Sequence, residues 1–115
     1  MSETGKQLDG LWTAEFGSSV GVSGGGVVVF QGGRILGGDN AYLYEGNFNV
    51  DGRNFSATLR VLPFIEGAES VFRTIGKNLT LQLTGELTSD GRAIGQGYPL
   101  EMPSLKFGVK LTKRF

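Results

Sequence analysis

A chain of 115 residues with 39% apolar side chains is long enough for one core and too apolar to stay disordered. Eleven Lys and Arg balance eleven Asp and Glu, which leaves no basic excess with which to hold nucleic acid. Cysteine and histidine are absent, and with them go disulfides, thiol chemistry, the usual Cys/His zinc sites and every His-based triad.

The start, "MSETGKQLDG", has no apolar h-region, so a cytoplasmic protein is expected, and residues 1–7 read as a disordered tail before a single domain over 8–115. No apolar run approaches the ~20 residues of a spanning helix, so no membrane partner is expected. From residue 10 onward the pattern has period 2. In 10–17, Trp12, Ala14 and Phe16 share one face and oppose Thr13 and Glu15.

The glycine-rich stretch 17–39 could be a phosphate cradle, a linker or a set of turns. No Lys-Ser or Lys-Thr follows its glycines, and Gly24-x-Gly26 is followed by Val29 where a dinucleotide fingerprint needs a third glycine. Val27-Val28-Val29-Phe30 favours a strand over a helix start. "QGGR" then reads as a tight hairpin and "GGDN" as the next turn, which makes the glycines turn and bend residues.

Further along, Tyr42, Tyr44 and Phe48 oppose Glu45, Asn47 and Asn49; "VDGR" at 50–53 is a hairpin signal; and Phe55, Ala57, Leu59 and Val61 alternate with polar residues. The segment 63–77 breaks the pattern and predicts an irregular crossing or a short helical turn around Glu69–Arg73. Leu79, Leu81, Leu83 and Leu87, a second Asp-Gly turn at 89–92, "AIGQGY", and Leu105, Phe107, Val109 and Leu111 complete about eight strands. Short turns and one apolar face per strand predict an all-β protein, either an up-and-down antiparallel barrel or a flattened sandwich. Glycines inside strands, among them Gly46, Gly85, Gly95, Gly97 and Gly108, favour the barrel, whose corners need them.

Carboxylate pairs are the remaining catalytic device. Glu15, Glu45 and Glu86 fall on outward positions, and Asp39, Asp51 and Asp90 fall in turns, so no enzyme, metal site or cofactor is expected. The inward aromatics Trp12, Phe16, Phe30, Tyr42, Tyr44, Phe48, Phe55 and Phe107 either fill a core or line a cavity for one small hydrophobic ligand. Leu43, Leu62, Ile94 and Tyr98 are apolar at outward positions and would mark a dimer or partner surface if clustered.

Two resemblances rest on these residues. Gly10-Leu11-Trp12 matches the G-x-W of lipocalin-like opening strands, although Arg114, which would need to cover the Trp, falls on the outer face. Asp9, Gly10 and Trp12, then Gly33, Ile35, Gly37, Gly38 and Asp39, then Tyr44 and Gly46, resemble the GrlR family of small bacterial negative regulators of type III secretion genes. That resemblance covers about the first 50 residues. It implies a lipocalin-like barrel, a homodimer, and transcription regulation by binding a protein partner, a transcription activator, with no direct contact to DNA. The family's type member uses an acidic surface loop for its partner; the matching "NVDGRN" holds only Asp51, so that recognition device is not expected to carry over. The expected function is thus a non-enzymatic regulatory binding protein, and the alternative is an intracellular carrier or sensor of a small hydrophobic ligand.

Overall fold

The structure, a computed structural model, describes residues 8–115, so the expected tail over 1–7 lies outside the described residues. Eight strands follow in order: β1 (Gly10–Ser18), β2 (Ser23–Gln31), β3 (Arg34–Gly38), β4 (Tyr42–Asp51), β5 (Asn54–Pro63), β6 (Leu79–Ser89), β7 (Arg92–Pro99) and β8 (Phe107–Lys113). Each pairs antiparallel with the next, and β8 returns to β1, with Trp12 opposite Lys113 and Phe16 opposite Val109, so the sheet closes into an up-and-down barrel. Closure leaves no edge strand with unpaired backbone groups.

The hairpins β2–β3, β4–β5 and β6–β7 turn at one end of the barrel, and the connections β1–β2, β3–β4, β5–β6 and β7–β8 gather at the other. The "QGGR" hairpin forms as the sequence predicts: Gly32 (φ 59°) and Gly33 (φ 85°) occupy the left-handed region that a two-residue hairpin loop demands.

The three glycines 24–26 do not turn. They lie inside β2, opposite Phe16, Glu15 and Ala14 of β1, so the strand starts four residues earlier than its Val-rich segment. The reason is space. A Cβ on Gly24 would stand 3.0 Å from the Phe16 ring, and one on Gly26 would stand 2.8 Å from the Tyr44 hydroxyl. These inward positions of β2 are left bare so that two aromatic rings can lie across them.

The interior has an aromatic cluster at each end. At the hairpin end Leu8 and Trp12 are completely buried, and Trp12 Nε1 donates to the Leu8 carbonyl at 2.7 Å, which satisfies the one polar atom of the indole. Trp12 packs on Phe30 (ring centroids 6.0 Å apart), and Phe30 meets Phe48 (5.1 Å) and Phe55 (6.4 Å). Arg114 does not cover the Trp; it is exposed, and its Nε donates to Thr13 Oγ1 on the outer face. At the opposite end Phe16 meets Tyr44 (6.4 Å) and Phe107 (5.6 Å).

The irregular crossing between β5 and β6 caps that second end, and its residues 64–78 form turns and bends with no helix. Ser70 organises it: its Oγ accepts the backbone N–H groups of Phe72 (3.0 Å) and Thr74 (3.3 Å). That compact turn holds Arg73 at φ 66° and pushes Phe72 down onto Phe107, with ring centroids 5.9 Å apart. Ser18 Oγ donates to the Val71 carbonyl at 2.5 Å and ties the cap to the end of β1.

Strand-interior glycines make the corners. A Cβ on Gly46 would stand 2.0 Å from the Thr58 carbonyl oxygen, whereas one on Gly108 would meet nothing within 4 Å. Gly46→Ala is therefore expected to lower unfolding free energy by ~1–3 kcal/mol, the usual cost of overpacking. Gly108→Ala is expected to cost far less. Urea midpoints of the two variants would check this, and equal losses would mean that the close approach at Gly46 does not matter.

Candidate functional site

Two features of the barrel can engage another molecule. The first is a cavity of ≈ 230 Å³ between the aromatic clusters, beneath the β5–β6 cap. Its walls are mainly apolar, including Ala57, Leu59, Val61 and Leu81, and of the eight predicted interior aromatics Phe16, Phe30, Tyr42, Tyr44, Phe55 and Phe107 line it. Trp12 and Phe48 are not among its walls; they belong to the packing at the hairpin end. Typical ligand pockets span ~300–1,000 Å³, so this one suits only a compact molecule.

The two tyrosines at the start of β4 have different fates. Asp39 stands in the β3–β4 turn, where its Oδ1 accepts the N–H groups of Ala41 and Tyr42, both at 2.8 Å. Its Oδ2 accepts the Tyr44 hydroxyl, so one carboxylate fastens the turn and the ring together. Tyr42 is only 4% exposed, and its hydroxyl, fully buried, has no hydrogen-bond partner among the described residues. Both phenols are pushed above the ordinary tyrosine range. For Tyr44 the causes are burial and then the Asp39 hydrogen bond; for Tyr42 they are burial and then the charges of Asp39 and Glu69. Asp39 and Glu69 also line the cavity at its capped end, and no Lys or Arg lines it among the described residues.

Sequence reasoning did not find Glu69, Ser70 or Phe72 as parts of this site. They come from a segment without periodicity, and only the fold of the crossing brings them over the barrel.

The second feature is on the outside. Leu43 and Leu62, singled out from the sequence, are directly opposed across β4 and β5, and Gly38 stands between Leu43 and Val27 in the same row. Leu36 and Val29 pair in the neighbouring row. Val27, Leu36 and Leu43 are 41–51% exposed. The result is a row of apolar residues across the outer face of β2 to β5, interrupted at Gly38 and half-buried at Leu62. At its border Glu45 accepts from Arg60 Nε at 2.8 Å and from Arg34 Nη2 at 3.1 Å, and the Arg60 hydrogen bond is the main reason its carboxyl is held below the usual range.

Ile94 and Tyr98 are exposed on β7, apart from this strip and separated from each other by Gln96. Ile94 and Asp51 instead border a hollow of ≈ 600 Å³ across β4 to β7, with Asn49, Thr84 and Glu86 but also Val50 and Phe55. The four outward apolar residues therefore do not form one surface.

No family model matches the chain, and no curated protein matches it. Among solved structures the chain is similar to a redesigned beta barrel, with a TM-score of 0.57 and 16% sequence identity over 100% of this chain and 98% of that one. At that identity the likeness speaks for the fold alone.

The tyrosines set an alkaline limit. Their protons are held more tightly in the folded barrel than in the unfolded chain, so this stability is complete below about pH 10 and lost as the pH rises above it. Urea midpoints measured from pH 8 to pH 11 are expected to fall, with a shallower fall in Tyr44→Phe; parallel curves would remove Tyr44 as a source of the alkaline loss.

Proposed function

We propose that this protein is a non-enzymatic regulatory binding protein of the kind the GrlR resemblance implies, a homodimer that acts on transcription by holding a protein partner such as a transcription activator. The observation that carries the reading is the apolar strip of Val27, Leu36, Leu43 and Leu62 across β2 to β5. A solvated sheet of a self-sufficient barrel would alternate apolar-in with polar-out, as β6 does with Thr80, Gln82 and Thr84. On β2 to β5 that alternation is broken on neighbouring strands in register, and apolar patches of this kind mark association surfaces. The zero net charge agrees with a protein partner rather than a nucleic acid. The exposed Asp51, at the end of β4, stands alone where the family's type member has its acidic loop, so the activator would be met through another surface.

A second reading is supported by the cavity: a carrier or sensor that holds one small hydrophobic ligand inside the barrel. The unpartnered Tyr42 hydroxyl favours it, because buried polar groups normally find a partner.

Sedimentation velocity tests the dimer. The wild-type chain is expected to sediment as a dimer, Leu43→Asp to weaken association at least tenfold, and Ile94→Asp, away from the strip, to leave it unchanged. A wild-type monomer at all concentrations, or dissociation by Ile94→Asp alone, would overturn the assignment.

A further inference from the structure

We propose that the barrel cavity selects a compact, uncharged, largely apolar molecule carrying one hydrogen-bond acceptor, which the Tyr42 hydroxyl meets. This rests on the reading of the barrel as a small-molecule carrier or sensor, and it names the ligand class. Three observations carry it.

Size comes first. An engineered apolar cavity of ~150 Å³ takes benzene, so the ≈ 230 Å³ here fits roughly a bicyclic skeleton and not a long acyl chain. Phe30 and Phe55 line the space toward the hairpin end and Phe72 toward the capped end, and all three rings are buried.

Charge comes second. The polar residues at the capped end include Asp39 and Glu69, with no cationic side chain among the described lining residues. A carboxylate ligand would meet two like charges and no partner. An ammonium would be attracted by the same two carboxylates, but it gives up hydration on entering walls of Leu, Val, Phe and Ala and offers the Tyr42 hydroxyl no acceptor. A neutral ligand avoids both costs.

Third is the donor. Tyr44 is committed to Asp39, whose second oxygen is taken by two backbone N–H groups, so the carboxylate does not reach back for Tyr42. The Tyr42 hydroxyl is left buried beside the cavity with its proton unshared. Burial and the two nearby carboxylates keep that proton on the oxygen, so the phenol remains a donor under all ordinary conditions. A ketone, ether or ester oxygen is the complement.

Amide chemical shifts of the labelled full chain, titrated with three bicyclic probes, decide the matter. 1-Tetralone is neutral with a carbonyl acceptor, tetralin has the same skeleton without the oxygen, and 1-naphthoate is anionic. We expect 1-tetralone to shift the cavity-lining amides and to bind roughly fivefold tighter than tetralin, the scale of one neutral hydrogen bond. 1-Naphthoate is expected not to bind. Tyr42→Phe should make 1-tetralone and tetralin equal. Equal binding of the two neutral probes to the wild type, a preference that survives in Tyr42→Phe, or 1-naphthoate binding as well as 1-tetralone would overturn the ligand class and leave the carrier reading standing. No shift at cavity residues with any probe would overturn both.

Discussion

A sheet of eight short strands can close on itself only if it bends sharply at several places, and this barrel bends where its strands have no side chains. Gly37, Gly46 and Gly97 lie so close to carbonyl oxygens of neighbouring strands that a Cβ would stand 1.9–2.1 Å from them. Gly85 is covered from inside by Phe55, with a Cβ there only 2.4 Å from the ring. The cost of glycine in a strand, a loss of packing and a gain in unfolded-state freedom, is offset by a closed ladder without edges and by rings that lie flat against bare backbone.

The same constraint shapes the interior. Bare positions at Gly24 and Gly26 let Phe16 and Tyr44 lean across β2, and Tyr44 in turn reaches Asp39 in the β3–β4 turn. That contact spends one tyrosine on architecture. Tyr42, two residues earlier and on the same inward face, has no such partner among the described residues, because both oxygens of Asp39 are already engaged. The cavity is thus a by-product of how the aromatic rings are seated, and its buried, unpartnered Tyr42 hydroxyl is a by-product of how Asp39 is used.

This geometry also explains the motif on which the family resemblance rests. Gly37 and Gly46 are close-approach glycines, Gly33 is a hairpin residue with positive φ, and Asp39 and Tyr44 bond to each other. Each has a structural task in the barrel of this chain.

The sequence by itself determined the barrel. Period-2 alternation and Asp-Gly and Gly-Gly turns are local properties, legible one strand at a time in Trp12-Thr13-Ala14-Glu15-Phe16 or in Leu79 to Leu87. In-strand glycines such as Gly46 pointed to corners for the same local reason. What only the tertiary structure decided depends on register between strands distant in sequence. It placed Gly24–Gly26 in a strand rather than a turn, because the rings that need their space belong to β1 and β4. It put Leu43 beside Leu62 while leaving Ile94 and Tyr98 elsewhere, although all four look alike in the alternation. It brought Glu69 and Phe72, from a segment with no period at all, over the mouth of the barrel. Alternation tells which face a side chain takes, but only strand pairing and the path of the cap tell what it meets there.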